Sequence, residues 1–347
     1  MDTRLSLATA PQTTPPTMSD VHYMTFKHPN DGDNQRPFDD HQTIIEGLLK
    51  ESAEIAPKYF YDALGCRLFE VITLLPAYYP TRIESDIFLR SAPTIGTEIG
   101  EGAILIDLGA GNCEKAAGLF DVLKPQCYVA VDIASDFLDG VLKGLQERYP
   151  NLVIEGHASD FSEGLTLPPD LPKPHRVMFY PGSSIGNFTP DEAMKFLREI
   201  RKELHLGGHL LIGVDLIKED RVLDLAYNDP LGITAAFNRN ILNHINRLIG
   251  SDFDLADFNH VAFYHREENR IEMHLEAQRD LLIQWPGGKR HFRKKERIQT
   301  EYSYKYHPET FESMLKATGF QGVKTYLDDA GWFSLFHAKV ETDLVNQ

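Results

Sequence analysis

The chain has 347 residues, 42% of them apolar and 25% charged, with a formal net charge of −16 at pH 7. This length suits one large or two ordinary globular domains. The charge disfavours a DNA or RNA substrate, no apolar run approaches the ~20 residues of a membrane span, and no basic-then-apolar leader is visible. The three cysteines, Cys66, Cys113 and Cys127, show no CxxC spacing. A reducing, cytoplasmic setting is expected, with Cys113 as a small packing residue.

Residues 1–38 are rich in Thr, Pro, Asp, Asn and Gln and are expected to be disordered. Asp40 to Tyr78 reads as mostly helical, from Ile44, Leu48 and Leu49 and then Leu68, Val71, Ile72 and Leu75. From Arg82 the pattern alternates. A helix is predicted over 82–89, strands over 103–107 and 128–132, a helix over 136–148, and strands over 153–156 and 176–180. A loop of small residues, Pro181 to Phe188, follows. Thr189-Pro190-Asp191-Glu192 is a helix start, with an N-cap Thr, Pro at the first helical position and Glu completing a capping box. Gly207-Gly208 stops that helix before a strand over 209–215. Residues 218–306 break the alternation, with a helix over 233–249 and a meander of strands over 260–304. The basic run Lys289 to Lys295 reads as a solvated hairpin tip. A helix resumes at His307-Pro308-Glu309, and strands over 323–327 and 333–340 follow. This is an α/β chain: a doubly wound, Rossmann-like domain of 82–216 and 307–347, with 39–81 and 217–306 forming a smaller α+β domain over the strand tips.

The segment Ile104–Lys115, ILIDLGAGNCEK, carries the strongest chemical signal. An apolar run ends in Asp107, Gly109 and Gly111 bracket a turn, and the next apolar run ends in Asp132. Ligands of open α/β sheets lie beyond the carboxyl ends of the strands, and an acid at the second strand's end can accept from both ribose hydroxyls. A dinucleotide fingerprint would place a third small residue where Glu114 stands, and a carboxylate faces pyrophosphate badly. S-adenosylmethionine (SAM), with a cationic sulfonium and no phosphate, fits better. An ordinary glycine turn would look similar, so this loop alone does not decide the chemistry. The fourteen histidines include no HEXXH or paired HxxxH pattern and no GxSxG is present. Neither a metal nor a serine hydrolase is expected.

The segments YFYDALGCRLFEVIT, YYPTR, DLGAGNCEK, VDI, SDF, YPGSSIGNF, YNDPLGITAAFN, IEMHL and TEYSYKY occur in this order. Over about residues 40–340 the chain resembles the histidine-specific Nα-methyltransferases, class I SAM-dependent enzymes that trimethylate L-histidine to hercynine in ergothioneine biosynthesis. The resemblance implies SAM contacts from Gly109, Lys115, Asp132, Asp160, Phe161 and Gly182. It implies Asn187 and Tyr227 on the substrate carboxylate, Glu301 and Ser303 on the imidazole, and Met273 packed against it. Tyr61 and the pair Tyr78 and Tyr79 would line the pocket and assist catalysis, with the choice between Tyr78 and Tyr79 open.

The residue chemistry is consistent with those roles. Asn and Tyr donate to a carboxylate without a buried countercharge. Glu301 and Ser303, two apart on a strand, point to one face. A hydrogen bond to a charged acceptor is worth about 1.5–3 kcal/mol. Lys115 can meet the SAM carboxylate as a point charge. Aromatic faces attract a methylated ammonium. Taken singly, each tyrosine could be a packed side chain, Glu301 and Ser303 a solvated face, Asn187 a turn residue and Met273 core filler. The alternatives are an Nα-methyltransferase for tryptophan or a prenylated tryptophan, against which Glu301 argues, and a non-catalytic SAM-binding partner. A monomer is expected, with no nucleic-acid or membrane partner.

Overall fold

The computed structural model describes residues 36–161 and 164–341. The tail expected over 1–38 lies outside the described residues, apart from 36–38, which open the first helix. The N-terminal segment folds as α1 (Arg36–Leu49), β1 (Ala53–Glu54), a 3-10 turn (Pro57–Phe60), α2 (Ala63–Thr73) and α3 (Tyr79–Ile99). Next come β2 (Ile104–Leu108), α4 (Glu114–Ala117), α5 (Phe120–Leu123), β3 (Cys127–Asp132), α6 (Ser135–Arg148), β4 (Val153–Ala158), β5 (Arg176–Tyr180), α7 (Pro190–Leu204) and β6 (His209–Asp215). The chain then makes α8 (Asp220–Tyr227), α9 (Ile233–Ile249), β7 (Phe258–His265), β8 (Arg270–Ala277), β9 (Leu281–Trp285), β10 (Gly288–Phe292) and β11 (Arg297–Tyr304). It ends in α10 (Pro308–Ala317), β12 (Gln321–Leu327) and β13 (Phe333–Lys339).

The main sheet has the order β12-β13-β6-β5-β2-β3-β4. Strands β2 to β6 run parallel, and β13 and β12 add an antiparallel edge. Strands β2, β5 and β6 are buried along their whole length, as continuous apolar runs covered on both faces must be. The chain leaves the β4 edge and returns to β5 beside β2, so the strand order reverses between β2 and β5. The ligand crevice of such a sheet opens there, at the carboxyl ends. This is the doubly wound α/β fold read from the alternation.

One face of the sheet packs Met178 and Tyr180 against Phe196 and Leu197 of α7. The other packs Leu105 and Val177 against Ile87, Ile95 and Ile99 of α3. A separate core joins Ile44, Leu48, Phe60 and Ile72 to Leu223, Phe237, Ile241, Met273 and Ile298. Phe60 stacks on Phe237 with ring centroids 4.6 Å apart. Each fully buried side chain of this size contributes about 1.5–3 kcal/mol, so the N-terminal helices and the late insert hold each other. Their sheet has the order β1-β11-β8-β7.

Three expectations need correction. The helix expected over 82–89 is α3 and runs from Tyr79 to Ile99, through Pro93. Pro93 and Gly96 read as breakers locally, but the buried stripe of Ile87, Ile95 and Ile99 carries the helix past them. The mostly helical stretch 40–78 contains β1, which pairs in parallel with β11 at Ala53↔Ile298 and Glu54↔Gln299, a partner some 245 residues away and invisible to local periodicity. The basic run is not simply a hairpin tip. Residues 288–292 form β10, and Arg290 donates to the carbonyls of Leu48 and Lys50 at the end of α1 and to Glu296 at 2.7 Å, where a cation complements the helix dipole. The capping box stands as read: Thr189 N–H donates to Glu192 Oε2 at 2.8 Å, and Glu192 N–H to Thr189 Oγ1 at 3.4 Å.

His209 Nδ1 and His337 Nε2 lie 2.9 Å apart, both rings buried between β6 and β13. Burial pushes both imidazoles down to about 4, against about 6.5 in an unfolded chain. Between those values the unfolded chain binds more protons, so stability falls as pH falls from about 6.5 towards 4. Urea unfolding at pH 7 and pH 5 should show this loss, and the double variant His209→Gln/His337→Gln should flatten it. Equal slopes for both proteins would contradict the assignment.

Candidate active site

The loop after β2 is stitched to the end of β3. Gly109 N–H donates to the Val131 carbonyl at 2.8 Å. Gly111 N–H donates to Asp132 Oδ2 and Ala134 N–H to Asp132 Oδ1, both at 2.9 Å. The Asp132 carboxylate is thereby fixed at the strand tip with lone pairs to spare. Burial raises its pKa, and the backbone N–H bonds oppose that rise. Asp107 serves the sheet instead. It is buried, Tyr128 donates to it at 2.8 Å, and burial pushes it up to about 7.

Lys115 turns back from α4 to Glu84 Oε2 at 2.5 Å, and Gly182 N–H donates to Glu84 Oε1 at 2.8 Å. Glu84 is wholly buried on α3. It fits because Gly213 of β6 has no side chain: a Cβ there would meet Glu84 Oε1 at 2.0 Å. A carboxylate, an ammonium and a backbone N–H thus converge beside the crevice. That set complements an α-amino-acid group, such as the methionine end of SAM, from both sides. Glu84 was not singled out in the sequence, because nothing local separates it from the solvated acids of a helix. After β4, Asp160 accepts from Lys58 Nζ at 2.7 Å, and Phe161 packs against Phe196 and Tyr180.

A pocket opens between the sheet and the second core, enclosing about 520 Å³ that is partly open to solvent. Tyr61, Tyr78, Asn187, Tyr227, Met273, Glu301 and Ser303, all expected at a substrate site, line it together with Gly182. Asn187 ends a 3-10 turn (Ser184–Asn187) that lies against β11. The close approach depends on Gly186, where a Cβ would meet the Tyr304 carbonyl at 2.7 Å. Glu301 and Ser303 face the pocket from β11, with the register shifting between Gln299 and Glu301. Tyr302 and Tyr304 lie on the other face, where both rings meet the Arg270 guanidinium. Burial pushes Glu301 up to about 7, opposed by the charge of Lys305. Tyr227 and Ser303 hydroxyls lie 2.9 Å apart. Burial raises the Tyr61 and Tyr78 phenols well above their usual range, so both stay neutral at physiological pH.

Tyr79 is placed elsewhere. It is 2% exposed, donates to Asp215 at 2.8 Å, accepts from Lys218 Nζ at 2.7 Å and packs edge-on against Trp332. Of the two adjacent tyrosines, Tyr78 faces the pocket. Asp215, Lys218 and Lys305 form a buried ionic cluster under the pocket floor that local sequence reading missed. Its members are distant in sequence and carry no shared motif. Among the described residues, no group of three or more His, Cys, Asp or Glu side chains could hold a metal, and no helix is long and apolar enough to cross a membrane.

A family model described as a SAM-dependent, histidine-specific methyltransferase matches residues 40–340. A histidine N-alpha-methyltransferase of Mycobacterium tuberculosis is 37% identical over 306 residues, spanning 84% of this chain and 92% of that protein. Ergothioneine biosynthesis protein 1 of Neurospora crassa is 30% identical over 82% of this chain and 33% of its own length. The 4-dimethylallyltryptophan N-methyltransferase of Claviceps purpurea is 28% identical over 56% of this chain and 58% of its own.

The two tyrosines should separate on mutation. Tyr79→Phe removes a hydroxyl between buried charges and should lower stability by about 1–3 kcal/mol, with little change in the KM of the amino-acid substrate. Tyr78→Phe should leave the melting temperature nearly unchanged and alter turnover. Thermal unfolding and steady-state kinetics of both variants check this. Loss of stability in Tyr78→Phe alone would reverse the assignment.

Proposed function

The chain belongs to the histidine-specific, SAM-dependent methyltransferases, and from that premise we propose that it transfers three methyl groups to the α-amino nitrogen of L-histidine, giving hercynine, within ergothioneine biosynthesis. The observation that carries this reading is the pocket. Glu301 and Ser303 stand together in it, near Asn187 and Tyr227 and next to the Gly182–Glu84–Lys115 cluster. The relatives' names support the same substrate.

The residues divide the work in a way the chemistry requires. When bound, SAM supplies an electrophilic methyl group on cationic sulfur. Asp132 is pre-set to accept from ribose hydroxyls, and Glu84, Lys115 and Gly182 to hold the methionine end. Asn187 and Tyr227 would orient the substrate carboxylate, and Glu301 would accept an imidazole N–H. Those contacts fix the amine in place, which is the main requirement of an in-line displacement. Tyr61 and Tyr78, neutral phenols in an aromatic wall with Phe69 and Phe237, offer a lone pair to the amine and ring faces to a growing methylammonium. They are too weakly acidic to serve as phenolate bases, so the proton lost in each round leaves through water. The core of 39–81 and 217–306 serves as the substrate-binding unit. The chain is proposed to act as a monomer. The buried, unpaired cysteines suit a reducing cytoplasm.

Tryptophan or a prenylated tryptophan is the weaker reading, since an indole would set a buried carboxyl against a largely apolar ring. The test is product mass after incubation with SAM and single amino acids. Histidine should give mono-, di- and trimethylated products in sequence. Turnover of tryptophan without histidine would overturn the reading.

Glu301 gives a second test. Its carboxyl ionises near pH 7 and accepts best above that value. kcat/KM for histidine should therefore rise through pH 7. Glu301→Gln should lose this limb and raise the histidine KM about ten- to hundredfold, with SAM affinity unchanged. An unaltered pH profile in the variant would remove Glu301 from recognition.

A further inference from the structure

Lys305 is wholly buried at the end of β11. An ammonium has three N–H donors and no acceptor. Those of Lys305 go to Asp215 Oδ2 at 2.9 Å, to the Tyr227 hydroxyl at 3.0 Å and to Ser303 Oγ at 2.8 Å. Lys305 is not among the pocket-lining residues, whereas Tyr227 and Ser303 are. The hydrogen bonds of the lysine therefore reach the pocket only through these two hydroxyls, while its charge is also felt by Glu301.

Counting hydrogens shows the consequence. Each hydroxyl oxygen already accepts one hydrogen from Lys305. The 2.9 Å bond between the two hydroxyls uses one of their own hydrogens. Whichever way that bond runs, one O–H hydrogen is left for a ligand. If a ligand replaces the mutual bond, two are left. Of the four lone pairs on the two oxygens, Lys305 takes two and the mutual bond one, so a single lone pair stands beside that hydrogen; without the ammonium there would be three.

We propose that Lys305 is a positioning residue that occupies a lone pair on each of Tyr227 and Ser303 and, having no acceptor of its own, turns their O–H groups away from itself and towards the substrate, so that this corner favours acceptor groups: a carboxylate oxygen and an unprotonated ring nitrogen. Beside it, Glu301 supplies the opposite polarity. A ring with one N–H and one bare nitrogen, the neutral imidazole, satisfies both neighbours. An imidazolium turns a second N–H towards a donor, and an indole has no ring acceptor to offer. Asp215 holds the lysine in place, and it retains Lys218 and Tyr79 as partners when Lys305 is replaced. That partnership makes substitution at 305 tolerable for the fold.

The inference rests on histidine being the substrate, and a double-mutant cycle separates the two questions. Wild-type turnover of histidine tests the substrate. Lys305→Met and Ser303→Ala, alone and together, test the lysine. Lys305→Met should raise the histidine KM by about tenfold or more, with SAM affinity by calorimetry within about twofold of wild type. Adding Ser303→Ala should cost much less than its effect alone, because the lysine acts through that hydroxyl. Effects that multiply, or an equal loss of SAM affinity, would overturn the proposal. Should Lys305→Met fail to fold, Lys305→Arg in a Tyr227→Phe/Ser303→Ala background decides the matter. There neither hydroxyl remains and the arginine keeps the positive charge beside Glu301, so the substitution should add no further rise in histidine KM, and a further rise would refute the proposal.

Discussion

Asp215 ends the strand β6 with its side chain 1% exposed, and a charge so placed must be neutralised. Leaving it unpaired would cost several kcal/mol. Lys218 lies at 2.5 Å, Lys305 at 2.9 Å and the Tyr79 hydroxyl at 2.8 Å. Its backbone N–H donates to Ser183 Oγ at 2.8 Å. These partners come from the start of α3, the loop after β5, the turn before α8 and the end of β11. The insert, the N-terminal helices and the main sheet therefore meet at one buried carboxylate, and the substrate pocket lies over that junction.

On the proposed reading, this junction is where a common scaffold takes on a specific acceptor. The sheet's reversal between β2 and β5 opens a crevice that any doubly wound protein could use for a nucleoside. The carboxylate at the end of β3 and the Glu84–Lys115 pair are proposed to dress that crevice for a zwitterionic cofactor. In the proposed reading the choice of acceptor comes from β11, which is docked by Lys305 and by the close approach at Gly186. Glu301 and Ser303 then stand across from the aromatic wall of Tyr61, Phe69 and Tyr78. The proposed recognition would rest on short polar side chains in an apolar setting, where each unmet hydrogen bond is expensive.

Much of this could be read along the chain because the relevant signals are local. Continuous apolar runs marked β5 and β6 at their observed limits, and the Thr189–Glu192 capping box marked the start of α7. The alternation of side chains on a strand put Glu301 and Ser303 on one face, and both line the pocket. What escaped was non-local. The pairing of β1 with β11, the burial of Glu84 over Gly213, and the convergence of Lys218 and Lys305 on Asp215 leave no periodic trace. The choice between Tyr78 and Tyr79 turned on the register of a helix start. The sequence pattern placed that start at Arg82, and it lies at Tyr79.

A ternary crystal structure with L-histidine and S-adenosylhomocysteine, the demethylated form of the cofactor, is the most direct test of where the acceptor lies. The account predicts the imidazole nitrogens within about 3 Å of Glu301 and Ser303. It also places the carboxylate on Asn187 and Tyr227, and the α-amine turned towards the crevice between β2 and β5. A histidine bound with its ring at the crevice, or with Glu301 and Ser303 still facing only protein and water, would contradict it.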